Sequence, residues 1–293
     1  MTTVFYPGCT LKSAAGYQES IEAVLEALEI HLPEVEDWNC CGATAYFSLD
    51  EMAALVLPAR IMAIAEEMGA DQVVTPCNAC YATLRKARAI LAEDEELKAK
   101  VNVALKVDGK FYGGRVQVRH LLDFFMEPEV HKVWKARIKR PLEQLAVAPY
   151  YGCQYSRPQT NGEDHPEKPV TLDLFLEDLG ARVVDFTAKT YCCGAAQMVA
   201  HEDACLPLVK RILLDARHKG AQAVVAICPL CQFNLEAPQA KLNIGSVPVV
   251  YFTQLLGLAM GMDERILGLK KLLVPFRVDL HGGVPTKSRD FVG

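Results

Sequence analysis

Short apolar runs alternate along this chain with longer stretches in which apolar residues recur every three or four positions, and the whole alternation occurs twice. Val4-Phe5-Tyr6 and residues 72–75 read as buried strands, as do residues 146–150 and 223–227. Residues 14–29, 51–68 and 81–91 have helical periodicity, and so do 172–179 and 203–219. Each half then closes with a strand running into a helix, over residues 116–125 and 247–260. Strands alternating with helices predict an α/β protein with parallel sheets, in which ligands gather at the carboxyl ends of strands. The predicted architecture is two pseudo-symmetric α/β domains, residues 1–140 and 141–293. Each has a small parallel sheet flanked by helices, and any shared site falls in the cleft between them.

The halves are not identical. Residues 92–115 extend the first half; their charged run and Gly109, Gly113 and Gly114 predict a helix end followed by a hairpin. Residues 157–168, rich in Pro and Gly, predict a loop peculiar to the second half. The charged segment 127–140 reads as the link between domains, and the tail after Gly261 as a segment that wraps the fold or meets a partner.

Composition narrows the class. With 51% hydrophobic and 23% charged residues the chain reads as a soluble globular protein. A net charge of −5 with no basic cluster argues against a nucleic-acid partner. No apolar run approaches the ~18 residues of a membrane span; the longest, 252–262, reads as a packed helix with Gly257 and Gly261 on one side. The start of the chain lacks a basic segment followed by an apolar one, so a cytoplasmic protein is expected. In a reducing compartment, eleven cysteines call for metal or redox chemistry rather than disulfides.

Ten of those cysteines form two matching sets. One is Cys9, Cys40-Cys41-Gly42 and Cys77-x-x-Cys80; the other is Cys153, Cys192-Cys193-Gly194 and Cys228-x-x-Cys231. Cys77 lies 36 positions after Cys41, and Cys228 lies 35 after Cys193. Neighbouring residues repeat too: Tyr6-Pro7-Gly8 matches Tyr150-Tyr151-Gly152, and Gly69-Ala70 matches Gly220-Ala221. This is an internal duplication with a period near 150 residues, too long for a solenoid.

Thiolates bind zinc or build iron–sulfur clusters. A tetrahedral zinc uses four ligands, whereas each half offers five, as a multi-iron cluster with a bridging thiolate could use. Adjacent side chains on an extended chain point apart, so Cys40-Cys41 and Cys192-Cys193 need a bend to serve one site, and Gly42 and Gly194 permit it. Each C-x-x-C is expected to open a helix, whose first amides favour thiolate charge.

The doubled pattern C…C-C-G…C-x-x-C resembles the cysteine-rich CCG family, and within it the catalytic B subunits of heterodisulfide reductases, over nearly the whole chain. The resemblance implies two facing non-cubane [4Fe-4S] clusters: one on Cys9, Cys40, Cys41, Cys77 and Cys80, the other on Cys153, Cys192, Cys193, Cys228 and Cys231. It implies cleavage, or in reverse formation, of a disulfide between two small thiols such as coenzyme M and coenzyme B. Two electrons are needed per disulfide, which one one-electron cluster on either side supplies. It also implies a ferredoxin-like C subunit and a flavin-containing A subunit as partners. Electron-transfer subunits of lactate- or glycolate-type oxidases, and subunits of sulfur-oxidising systems, share the CCG pattern and stand as alternatives.

The chain carries no G-x-G-x-x-G fingerprint and no G-x-x-x-x-G-K-[ST] loop, so no flavin, NAD or ATP site is expected. Lys12 and Arg157 follow the first cysteine of their halves and are candidates to hold the anionic groups of a thiol substrate, or are solvated cations. Cys205 is the odd thiol; counted from C-C-G its counterpart is Ala53, and it reads as an inert helix thiol. Tyr6 and Tyr150 read as core aromatics, and His120, opposite Tyr251 in the repeat, as no ligand.

Overall fold

The structure, a computed structural model, describes residues 1–43, 46–157 and 164–277. Its strands are β1 (Thr3–Phe5), β2 (Gln72–Thr75), β3 (Gln117–His120), β4 (Ala146–Tyr150), β5 (Arg182–Val183), β6 (Ala223–Ala226) and β7 (Val249–Tyr251). Its helices in the first half are α1 (Gly8–Leu11), α2 (Tyr17–Ala27), α3 (Tyr46–Leu49), α4 (Glu51–Glu67), α5 (Asn78–Glu93), α6 (Glu95–Leu105), α7 (Leu121–Phe125) and α8 (Pro128–Lys135). The second half adds α9 (Thr171–Asp178), α10 (Glu202–His218), α11 (Pro229–Glu236) and α12 (Phe252–Ala259).

Two parallel sheets result, with orders β1-β2-β3 and β5-β4-β6-β7. β2 and β6 are buried at every position, as expected of central strands covered by helices on both faces. The edge strand β3 alternates instead, with Val118 and His120 inside and Gln117 and Arg119 outside. The first sheet also has a remnant of a fourth strand. Phe5 forms a parallel bridge with Glu34, its amide donating to Pro33 O at 2.7 Å while Val35 N donates back to Phe5 O at 2.8 Å. That bridge is the counterpart of β5. In both halves, therefore, the chain steps to one side of its first strand and then crosses to the other. The crossing leaves a crevice between β1 and β2, and between β4 and β6, where parallel sheets place their ligands.

The extension of the first half differs from the hairpin expected of it: residues 92–115 contain no strand. Asp94 caps α6 by accepting from Leu97 N at 2.8 Å, and Glu95 and Glu96 fill its first turn, so the charged run is a complete helix. The glycine-rich stretch after it needs no partner strand. The Glu66 carboxylate accepts the amides of Gly113, Arg115 and Val116 at 2.7, 2.6 and 3.3 Å. The linking segment 127–140 likewise contains α8, whose buried Trp134 donates to Phe125 O at 2.7 Å.

The halves share one hydrophobic core. Phe252 of the second half lies 5.9 Å from Phe125 and 5.3 Å from Phe175, and Trp134 sits 5.0 Å from Phe175, ring centre to ring centre. Each such fully buried ring contributes about 1.5–3 kcal/mol. α12 also packs on α2, with Ser20 Oγ and Thr253 Oγ1 2.7 Å apart. Beyond α12 the chain returns to the first half: a Cβ on Gly268 would stand 2.4 Å from Gly16 Cα, and Lys271 pairs with Glu19. The described part of the tail thus wraps the fold; residues 278–293, and residues 158–163 of the loop expected at 157–168, lie outside the described residues. Among the described residues no helix is long and apolar enough to cross a membrane.

Candidate metal centre

All ten motif cysteines stand beyond the carboxyl ends of strands, around the two crevices. Cys9 follows β1 within α1, and Cys77 and Cys228 directly precede α5 and α11 as their N-caps. Cys80 and Cys231 follow on the first turn of those helices, as the sequence predicts. The C-C pairs follow the Glu34 bridge and β5. Gly42 and Gly194 take φ of +76° and +81°, the bend that lets adjacent cysteines turn into one site.

Within the first half Cys9 and Cys40 Sγ are 3.9 Å apart and Cys41 and Cys80 Sγ 3.4 Å, and Cys77 interacts with Cys80. In the second half the free thiol of Cys153 interacts with Cys192, and that of Cys231 with both Cys193 and Cys228. The two sets meet: Cys77 and Cys228 Sγ lie 4.0 Å apart across the interface. Two thiolates on one tetrahedral metal, each about 2.3 Å from it, stand about 3.8 Å apart. The Cys9–Cys40 separation in the first half matches that spacing, and five thiols per half are a donor set that suits thiolate-bound metal. Among the described residues no group of three or more Cys, His, Asp or Glu side chains is arranged around a single ion.

Shared protons polarise the thiols. Cys41 is lowered to about 4 because Cys40 and Cys80 both hydrogen-bond to it, and Cys40 rises in return. Cys192 is lowered to about 6 by its bond from Cys153, which rises. Burial opposes ionisation of Cys228, but bonds from Cys231 and Cys77 and the amides of Cys231 and Asn78 hold it well below the ordinary thiol range.

Several supporting side chains carry out roles that sequence reading missed. Tyr6 OH donates to Asn39 O at 2.9 Å and Tyr150 OH to Tyr191 O at 2.6 Å. Asn39 and Tyr191 immediately precede the C-C pairs, so these strand tyrosines, buried in the core as expected, also clip both turns in place. Asn234 Nδ2 donates to Cys193 O at 2.6 Å. Gly8 and Gly152, both with positive φ, leave room for sulfur: a Cβ would stand 2.8 Å from Cys80 Sγ and 3.0 Å from Cys231 Sγ. The repeated Tyr-x-Gly-Cys string was the available signal for both features.

The remaining candidates lie around this core. Lys12 Nζ is 3.1 Å from the Glu34 carboxylate. Arg157 donates to Pro166 O at 3.1 Å and Thr190 Oγ1 at 3.2 Å. Cys205 is buried in α10 and donates to Gly194 O at 3.4 Å, so it backs the second C-C-G turn. His120 is fully buried; its Nδ1 accepts from Leu122 N at 3.1 Å and its Nε2 has no partner.

A duplicated parallel α/β unit with five cysteines at each crevice is a doubled cysteine-rich domain. The CCG cysteine-rich domain matches residues 3–85 and 147–236, and the chain belongs to that family. Its relatives include the B subunit of the ferredoxin/F(420)H(2)-dependent CoB-CoM heterodisulfide reductase of Methanosarcina acetivorans, 33% identical over 91% of both chains. The B subunit of the ferredoxin:CoB-CoM heterodisulfide reductase of Methanosarcina mazei is likewise 33% identical, over 90% of this chain and 91% of that one. The 8-methylmenaquinol:fumarate reductase membrane anchor subunit of Wolinella succinogenes is 36% identical over 90% of this chain and 94% of its own. The crystal structure of a hypothetical protein from Helicobacter pylori superposes with a TM-score of 0.76 at 17% identity; the match covers 94% of this chain and 52% of that one. The resemblance to heterodisulfide reductase B subunits and the α/β fold expected from the sequence are thereby borne out.

Proposed function

We propose that this chain is the iron–sulfur subunit of a heterodisulfide reductase-type complex that cleaves, or in reverse forms, a disulfide between two small thiols such as coenzyme M and coenzyme B. The observation that carries this reading is the 4.0 Å approach of Cys77 to Cys228, one cysteine from each set; the two units would be 1–140 and 141–293. Cys9, Cys40, Cys41, Cys77 and Cys80 would hold one non-cubane four-iron cluster, and Cys153, Cys192, Cys193, Cys228 and Cys231 the other. Together the clusters would supply the two electrons that a disulfide needs to part into two thiolates. The tyrosine clips hold the C-C turns, and Lys12 and Arg157 would hold anionic groups of the thiols. Electrons would come from a ferredoxin-like C subunit and a flavin-containing A subunit, in the cytoplasm.

The relation to the fumarate reductase subunit favours a second reading, in which the same clusters only relay electrons within a larger oxidoreductase. Protein purified without oxygen decides between them. About eight irons and eight sulfides per chain are expected, together with disulfide reduction from an artificial viologen donor and none from NADH. Two zincs and no sulfide would end the iron–sulfur reading. Full cluster content without disulfide turnover would leave the relay.

A further inference from the structure

The duplication gives the molecule two equivalent grooves beside its cysteines, and one is open while the other is filled. Each lies between the segment after the first cysteine of one half and the helix that C-x-x-C opens in the other half. In the filled groove, Tyr155 lies against Tyr81 of α5 with ring centres 6.1 Å apart. Its ring also meets Tyr151 at 5.5 Å and His120 at 5.2 Å, and its hydroxyl donates to Asp123. Counted from the first cysteine, the counterpart of Tyr155 is Leu11; counted from C-x-x-C, the counterpart of Tyr81 is Gln232. These smaller or more flexible side chains do not close the second groove. There the segment after Cys9 and helix α11 border a cavity of about 270 Å³.

The walls of the open groove are apolar. Leu230 and Phe233 stand where α5 has Ala79 and Ala82, and Ala14, Ala15, Pro229 and Leu273 line the rest. Phe233 and Leu273 are 61% and 62% exposed; large apolar side chains that share one exposed hollow mark a binding surface. The polar groups of the groove are already engaged. Glu236 accepts from Gln232 Nε2 and from Val274 N, each at 2.9 Å. Gln232 Oε1 accepts from Tyr251 OH at 3.0 Å, Ser13 Oγ donates to Thr10 O at 3.3 Å, and Lys271 pairs with Glu19. A neutral hydrocarbon group suits such a hollow, because a charged or hydroxylated one would give up water without gaining partners.

The groove adjoins the cysteine sets of both halves. Thr10 follows Cys9 directly, and Pro229 and Leu230 lie between Cys228 and Cys231. Its volume falls just below the roughly 300–1,000 Å³ of sites that take a whole small ligand, so it fits part of one. We propose that the groove between the Cys9 segment and α11 receives a neutral apolar arm of one of the two thiols, and that Leu230 and Phe233 determine specificity for it. The disulfide is then held in one orientation, because Tyr155 plugs the equivalent groove on the other side. This inference deepens the two-thiol reading above and rests on it.

The test uses the full chain with its clusters, oxidised and treated with straight-chain alkanethiols from ethanethiol to octanethiol, with the EPR signal reporting binding. Each methylene that enters the groove should tighten half-saturation by about fourfold until the cavity is full. Ala15→Phe fills the groove from its rim, so octanethiol should then bind no more tightly than ethanethiol. Phe233→Ser removes a wall and should shrink the gain per methylene; both positions are exposed, and iron per chain confirms that the clusters are intact. A flat series in the parent with iron and sulfide in place, or a gain that survives both substitutions, would overturn the proposal and leave two clusters standing. A gain seen in the isolated chain but lost in the assembled complex would assign the groove to a segment of a partner subunit and overturn the proposal equally. Protein with neither iron nor sulfide would overturn the two-cluster reading, and the proposal with it.

Discussion

The rings of Tyr17 and Tyr251, one from each half, lie parallel with their centres 3.9 Å apart. The Tyr17 hydroxyl donates to Ile227 O at 3.0 Å and also reaches Pro76 O at 3.4 Å, the carbonyls just before Cys228 and Cys77. One side chain thus ties together the two strand ends that present the C-x-x-C motifs. Tyr17→Phe keeps the stack and loses the hydrogen bond, which should cost about 1 kcal/mol in urea unfolding. Tyr17→Ala also opens a cavity and should cost about 3–5 kcal/mol. Because the tie serves both halves, iron content should fall in both together; loss confined to one half would refute that role.

His120 gives the fold an acid-sensitive joint. Burial lowers its pKa from 6.5 to about 4, because a charged imidazole finds no water there. The unfolded chain therefore binds a proton that the folded chain refuses. This contribution to stability is fully present above pH 6.5 and is lost as pH falls towards 4, a loss of about 3 kcal/mol. His120→Asn retains a residue that caps α7 but does not titrate. Its unfolding free energy should be flatter than the parent's between pH 6.5 and 4, and parallel curves would exclude His120 as the cause.

The glycines before the first cysteines are sulfur-sized gaps. An alanine at position 8 must adopt φ near +68° and push against Cys80 Sγ at 2.8 Å; at position 152 the values are +70° and 3.0 Å from Cys231 Sγ. Gly8→Ala should lower iron binding in the first half only, and Gly152→Ala in the second half only. The backbone strain alone should cost about 1–3 kcal/mol in stability. Normal iron content in both variants would show that the sulfurs can move aside freely.

Much of this is legible in the chain. The duplication, the strands at 72–75 and 146–150, the helices opened by C-x-x-C and the glycine bends after C-C all follow from spacing and periodicity, because they are local. The α6 extension departs from the hairpin its glycines suggest, because they are held by Glu66, 47 positions before Gly113, rather than by a partner strand. The remnant strand at Glu34 and the two-residue β5 are too short to leave a periodic pattern. The clips from Tyr6 and Tyr150 are invisible for another reason: a buried aromatic on a strand looks the same whether or not its hydroxyl holds a distant turn. The contact of Cys77 with Cys228 depends on how the halves pack, which no spacing within either half encodes.

The C-C pairs give the sharpest prediction about the ligands themselves. Cys41 and Cys193 are buried, Cys41 3.4 Å from Cys80, the second cysteine of its C-x-x-C, whereas Cys40 and Cys192 are exposed. Serine is nearly isosteric but is a far poorer metal ligand at neutral pH, because its hydroxyl does not readily ionise. Cys41→Ser should therefore cost the first half its metal, and Cys193→Ser the second, each leaving about four irons per chain. Disulfide cleavage should be abolished in both variants, because two electrons must be delivered across one bond and only one donor would remain. Cys205→Ala is the counterpart test. It removes one weak bond to Gly194 O and a small buried volume, so it should cost about 1–2 kcal/mol of stability yet leave iron content and turnover near the parent values. Cys205→Leu should behave differently, because Gly194 leaves no room: its Cβ position is already 2.7 Å from the Cys205 sulfur. Pushing the C-C-G turn outwards should lower second-half iron while the first half stays loaded. Iron and sulfide per chain, with the EPR signal of thiol-treated oxidised protein, separate these outcomes. Full turnover in Cys193→Ser would contradict the two-cluster mechanism, and loss of four irons in Cys205→Ala would make Cys205 a ligand.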